Sequence, residues 1–151
     1  MLKLIPDSKV NAEVSRPVSA GPGLINTMQQ RGDLREYVVI ALGTNGTNSY
    51  EKLFTQMIDA LPSGHRLILV TPFDGRSNEN SRILNNTAEW MRGLPDAYDF
   101  ITIADWNSII SSQVNILAGD RVHMGGQTSM NLYAEMVADA VNAASRRPAK
   151  G

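Results

Sequence analysis

The chain has 151 residues, 42% of them hydrophobic and 19% charged, which suits one globular domain with a sizeable core and is short for two. Fourteen basic residues against fifteen acidic ones, spread along the chain, give a net charge of -1 and argue against nucleic acid or an anionic membrane as partner. Without cysteine there is no thiolate catalysis, disulfide or thiolate zinc site; no apolar run is long enough to span a bilayer, and Met1 to Pro6 is too short for a signal peptide.

In chain order, Pro6-Asp7-Ser8 reads as a turn, and Lys9 to Val14 alternates polar and apolar residues in the pattern of a strand with one covered face. Leu24, Ile25 and Met28 form a short helical stripe that stops by Gly32. Tyr37 to Leu42 is apolar throughout and delivers the tight loop Gly43-Thr44-Asn45-Gly46, the profile of a buried parallel strand. Tyr50, Leu53, Phe54, Met57, Ile58 and Leu61 recur at helical spacing, closed by Pro62-Ser63-Gly64. Arg66 to Thr71 is the next strand, and Ile83, Leu84, Thr87, Met91 and Leu94 mark a further helix. A strand from Phe100 to Ala104 ends in Asp105-Trp106, and Tyr133, Met136, Val137, Ala140, Val141 and Ala144 form the last helix.

Alternating strands and helices imply an α/β fold, a three-layer sandwich whose mostly parallel, flavodoxin-like sheet has helices on both sides. It occupies residues 1–144 as a single domain, with 145–151 expected as a disordered tail. In such folds reactive loops gather at the carboxyl ends of the strands, where Gly43 to Gly46, Asp105-Trp106 and the loop Gly119 to Gly126 all fall.

That last loop holds one of only two histidines. Asp120 and His123, three residues apart, can share a hydrogen bond that fixes the imidazole tautomer and leaves the other nitrogen free to act as a general base. The plain alternative is a surface turn. Asn45 is open in the same way: it is either a donor to a developing oxyanion or a turn residue that tolerates left-handed dihedrals. His65, at the start of a strand, reads as a solvated surface histidine, and Trp90 and Trp106 read as packing residues.

Val38-Val39-Ile40-Ala41-Leu42-Gly43-Thr44-Asn45-Gly46 resembles the third block of the SGNH (GDSL-like) hydrolases, where Gly-x-Asn follows a central strand. Asp120-Arg121-Val122-His123 resembles their last block, Asp-x-x-His, with a closing helix directly behind it. More narrowly, Val10 to Arg16 and the Gly-Thr-Asn-Gly variant are similar to the extracellular domain of membrane acyltransferases of the peptidoglycan O-acetyltransferase type. The resemblance implies a serine esterase or O-acyltransferase acting on acyl, above all acetyl, esters of a glycan such as peptidoglycan. It also implies an extracellular or cell-surface location, and it requires no cofactor and no metal. His123 becomes the general base and Asp120 its orienter. The amide of Asn45 becomes an oxyanion donor, a role that removal experiments value at about 3 kcal/mol. Gly43 lets the backbone turn the amide inward. A second donor is the backbone N–H of Ser15, which stands where the family commonly has glycine, so the role requires Ser15 to adopt a glycine-like conformation. Arg121 likewise replaces a usual glycine and is expected to point to water.

The departure concerns the nucleophile. The family's serine lies in Gly-Asp-Ser at the end of the first strand, with a helix leading on to the second. Asp7-Ser8 imitates that block, but only Lys9 separates Ser8 from the expected strand at Val10, and a parallel crossover takes a dozen or more residues. Ser8 is therefore disfavoured and the nucleophile is left unassigned. On this alignment the first central strand and the serine block lie before Met1. The gap in the sheet would be closed by direct pairing of its neighbours, by strand exchange in a homodimer, or by a preceding segment. The alternative function is a non-catalytic SGNH-like domain that binds a ligand or a partner.

Overall fold

The computed structural model describes residues 5–46 and 49–151. A 3-10 turn, Val18–Ala20, runs into helix α1 (Gly21–Gln30), followed by β1 (Tyr37–Ile40), α2 (Tyr50–Ala60), β2 (Arg66–Val70), α3 (Glu79–Ala97), β3 (Ile101–Ala104), α4 (Trp106–Ser111), a second 3-10 turn (Val114–Ile116) and α5 (Gln127–Ala144). The three strands are parallel and lie in the order β1-β2-β3, with Val38 opposite Leu67 and Leu67 opposite Ile101. Parallel neighbours need long crossovers, and α2 and α3 supply them.

Successive side chains of a strand point to opposite faces, so the apolar run of β2 feeds two cores at once. Leu67 and Leu69 join Ile40 and Ile101 against Phe54, Met57, Leu84 and Met91, which come from α2 and α3; Ile25 of α1 closes the same layer. Ile68, Val70 and Ala104 pack on the other face against Met136, Val137 and Ala140 of α5, with Trp106 and Ile110 of α4 beside them. This is the expected three-layer α/β arrangement.

Three expectations are corrected, and one element is added. Residues 9–14 form no strand: Val10 is 54% and Val14 93% exposed, and among the described residues no strand pairs with them. Arg16 instead takes up polar groups of the segment, donating to Asn11 O and Oδ1 at 2.9 Å each and to Glu13 Oε2. Strand β1 is not buried on both faces: among the described residues it pairs with β2 alone, and its Val39 remains 38% exposed. A short helix, α4, follows β3 directly, capped by Asp105, which accepts from the Ser108 N–H. Residues 145–151, expected as a disordered tail, are hydrogen-bonded to the body of the domain. The Lys150 N–H donates to His65 O at 2.8 Å, and Lys150 Nζ donates to the carbonyls of Ile58, Asp59 and Leu61 at the end of α2. Arg147 does the same at the end of α3, donating to Pro95 O and Asp99 O. Cations at helix carboxyl ends meet unsatisfied carbonyls and the negative end of the helix dipole, which is why a short basic segment docks.

Candidate active site

The loop between the second 3-10 turn and α5 is a miniature hairpin. Leu117 and Met124 form an isolated antiparallel bridge, the Ala118 N–H donates to His123 O at 2.9 Å, and the Arg121 N–H closes a turn onto Ala118 O. Arg121 sits at φ +60°, the left-handed conformation for which glycine is the usual residue, and it is exposed. Gly125 is required where the loop crosses its own base: a Cβ there would lie 2.5 Å from Ile116 O. Ser129 then starts α5, its hydroxyl accepting from the Gly125 and Gly126 N–H groups.

Within this loop Asp120 works in two directions. Oδ1 accepts the backbone N–H groups of Val122 and His123, both at 3.0 Å, and Oδ2 accepts from His123 Nδ1 at 2.6 Å. Hydrogen bonding from the His123 ring, then from the two backbone amides, holds the Asp120 carboxyl well below the usual carboxylate range. The carboxylate therefore stays ionised, and a proton on Nδ1 leaves Nε2 as the free basic atom. His123 is 76% exposed and Asp120 47%.

A cavity of about 200 Å³ lies against His123 at the carboxyl ends of β1 and β2. Its walls include Leu42, Thr44, Phe73, Trp106 and Tyr133. Trp106 is 5% exposed and meets Tyr133 edge-on at 5.1 Å between ring centroids, and burial pushes the Tyr133 hydroxyl up to about 12. The wall is aromatic and uncharged beside a single base.

Gly43 lies at φ +146°, and a Cβ there would come within 2.6 Å of Pro72 Cβ, so glycine is needed for β1 to turn past the end of β2. Beyond it Thr44 lines the cavity, while Asn45 is exposed at its margin and does not line it. Ser15 adopts φ +59°, the conformation a glycine would take; three residues on, the Val18 N–H donates to Asn45 O at 3.0 Å and ties this segment to the Asn45 loop. Ser8 lines a separate groove beside β1 and not the His123 cavity. Asp105, expected at the same edge, is spent on structure: it accepts from Thr71 Oγ1 at 2.9 Å and from Arg92 Nε at 2.8 Å. His65 lies at the opposite ends of the strands, its Nδ1 2.7 Å from Arg35 O.

One component had no signal in the sequence. Asp74 is 1% exposed and binds Arg76 through both oxygens, at 2.9 and 2.7 Å, and Asn80 at 2.7 Å. The Arg76 guanidinium, with Asn80 and the Arg76 N–H, lowers the Asp74 carboxyl to about 2. The knot braces the loop after β2, whose Gly75 N–H donates to Arg121 O at 3.0 Å. Gly75 thereby supports the histidine loop from outside.

No protein-family profile matches the chain, and no curated protein does. Among solved structures, the C-terminal catalytic domain of Streptococcus pneumoniae peptidoglycan O-acetyltransferase A, carrying a methylsulfonyl adduct, superposes with a TM-score of 0.93 and 33% identity over 99% of this chain and 88% of that one. An alpha/beta hydrolase from the metagenome of Lake Arreo, Spain, shares the fold at a TM-score of 0.61 and 16% identity, over 86% of this chain and 68% of that one. By its fold and its near full-length likeness to the first of these, the chain belongs to the SGNH-like family of peptidoglycan O-acetyltransferase domains.

Proposed function

We propose that the chain carries the base half of an ester-cleaving, acyl-transferring site for acetyl esters of a glycan such as peptidoglycan, exposed at the cell surface. The observation that carries this reading is the Asp120–His123 pair, with Nδ1 2.6 Å from Oδ2 and two backbone amides fixing the same carboxylate. His123 Nε2 takes the proton from an attacking hydroxyl and returns it to the leaving oxygen, while Asp120 holds the ring and stabilises the imidazolium. Asn45 supplies an amide to the oxyanion, Gly43 sets its backbone, and the Ser15 N–H is a second donor, supported by the left-handed φ at Ser15. The cavity of about 200 Å³ has room for a short acyl group.

The hydroxyl nucleophile comes from outside the cavity wall seen here. Among the described residues no serine lines it, and the Thr71 hydroxyl is committed to Asp105 and to the Asn107 N–H. The same observation favours a second reading, a domain that binds an acylated ligand without turning it over. A fluorophosphonate probe tests both. The expected result is no label on the chain alone, and label on an added peptide ending Gly-Asp-Ser only while His123 is intact. Label on Ser8 that disappears in Ser8→Ala would overturn the assignment of the nucleophile, and silence with the added peptide bound would favour the non-catalytic reading.

A further inference from the structure

Two loops meet beside the dyad. The Gly75 N–H donates to Arg121 O at 3.0 Å, which sets the loop after β2 against the tip of the histidine hairpin and brings residue 76 alongside residue 121. Phe73 and Val122, close in sequence to the two arginines, both line the His123 cavity, so Arg76 and Arg121 stand at its rim.

Arg76 is held in a fixed attitude. Asp74, whose side chain is fully buried, accepts from its Nε at 2.9 Å and its Nη2 at 2.7 Å, while the Arg76 side chain itself stays 47% exposed. That grip uses one edge of the guanidinium and leaves the edge between Nη1 and Nη2, which meets no acceptor among the described residues. Hydrogen bonding to Asp74 raises the Arg76 guanidinium and the charge of Asp120 adds to the rise, so Arg76 lies within electrostatic range of the dyad. Arg121 occupies a strained position that no contact of its side chain offsets. It sits at φ +60°, yet it is exposed, and its guanidinium has no hydrogen bond or ion pair among the described residues. Residues 1–4 and 47–48 contain no acidic side chain, so they offer it no ion-pair partner. The two carboxylates nearby are both engaged: Asp74 is closed in by Arg76 and Asn80, and Asp120 accepts two backbone amides and the His123 ring.

We propose that Arg76 and Arg121 form an anion subsite at the rim of the His123 cavity, which takes a carboxylate borne by the glycan substrate and so selects acidic glycan fragments over neutral ones. A guanidinium edge presents two parallel N–H groups that match the two oxygens of a carboxylate, and one already fixed by a buried partner loses little freedom on binding. Arg121 supplies the second positive charge. The glycine usual at this place in the family cannot, so the preference belongs to this chain and not to the family at large. That the ligand is a glycan rests on the acyl-transfer reading; the affinity for a carboxylate does not.

The probes are N-acetylmuramic acid, whose carboxylate is on the sugar, and N-acetylmuramyl-L-alanyl-D-isoglutamine, whose carboxylate is on the peptide, each set against its own neutral methyl ester. Each is titrated into the isotope-labelled full chain by NMR, a readout that needs no nucleophile. At least one acid binds about tenfold tighter than its ester and shifts the amides of Arg76, Arg121 and Val122. Which acid does so identifies sugar or peptide as the source of the recognised group. Arg121→Gly, which places at φ +60° the residue suited to it and so keeps the fold, reduces that preference about threefold or more. Arg76→Lys, which keeps the charge without the fork, reduces it as well. Equal binding of acids and esters, no binding of either acid, shifts confined to other residues, or a preference that survives either substitution would overturn the subsite. Failure of the acyl-transfer reading appears separately, as a missing fluorophosphonate label on the Gly-Asp-Ser peptide while the carboxylate still binds.

Discussion

At β3 the sheet is roofed by α5 and latched by the contacts of Asp105 to Arg92 and Thr71, whereas at β1, among the described residues, it ends in an edge strand flanked by a groove that the coil of residues 5–13 helps to line. The histidine loop hangs from the closed half, through Gly75 and α5, and the Asn45 loop hangs from the open half, through β1 and Val18. The cleft thus joins two regions of unequal cohesion. The histidine loop is braced from two sides, and the Asn45 loop depends on β1 and on the Val18 N–H.

The largest expected effect tests the framed half. In the labelling assay with the serine-bearing peptide, His123→Ala lowers the rate by about 10²–10⁴-fold, and an unchanged rate would remove the dyad from the chemistry. Next comes a direct contrast between the halves in urea unfolding. Leu69→Ala, in the fully buried centre of β2, costs about 2–5 kcal/mol, while Val39→Ala at the open edge costs about 0.5 kcal/mol or less. Equal losses would mean that the edge is covered in solution. Asp74 provides a pH test. Its folded carboxyl is lowered to about 2 from 3.8, so its contribution is complete above about pH 4 and is lost as pH falls through about 2, a change of about 2 kcal/mol. Asp74→Asn flattens that acid limb of the stability curve; an unchanged limb would show that other carboxylates govern it. The smallest is Lys150→Ala, which frees three carbonyls at the end of α2 and lowers stability by about 1 kcal/mol by thermal melting.

What the sequence revealed followed the range of the interaction. The apolar runs of β1 and β2 and the helical stripes of α2 and α3 are local patterns, and each became the element expected. Asp120 and His123 are three residues apart, so their hydrogen bond was legible as well. The Asp74–Arg76–Asn80 knot shows its purpose only through Gly75 and Arg121, far apart in sequence, and no periodicity announces it. Six residues are too few for α4 to display a stripe. Alternation in residues 9–14 indicates a strand only where a neighbour exists to pair with. The basic residues near the end read as solvated because the carbonyls that receive Arg147 and Lys150 lie 48 to 92 positions earlier.

The docking of residues 147–151 also fixes which way the domain faces. Gly151 O accepts from Ser63 Oγ, and Lys150 bonds His65, at the amino ends of the strands, while His123 opens at their carboxyl ends. A bead, sensor surface or fusion partner joined at Gly151 therefore stands behind the sheet, and the cleft looks away from the support. Immobilised in that orientation, the domain can be offered glycan fragments and peptide segments together without either being screened by its own attachment.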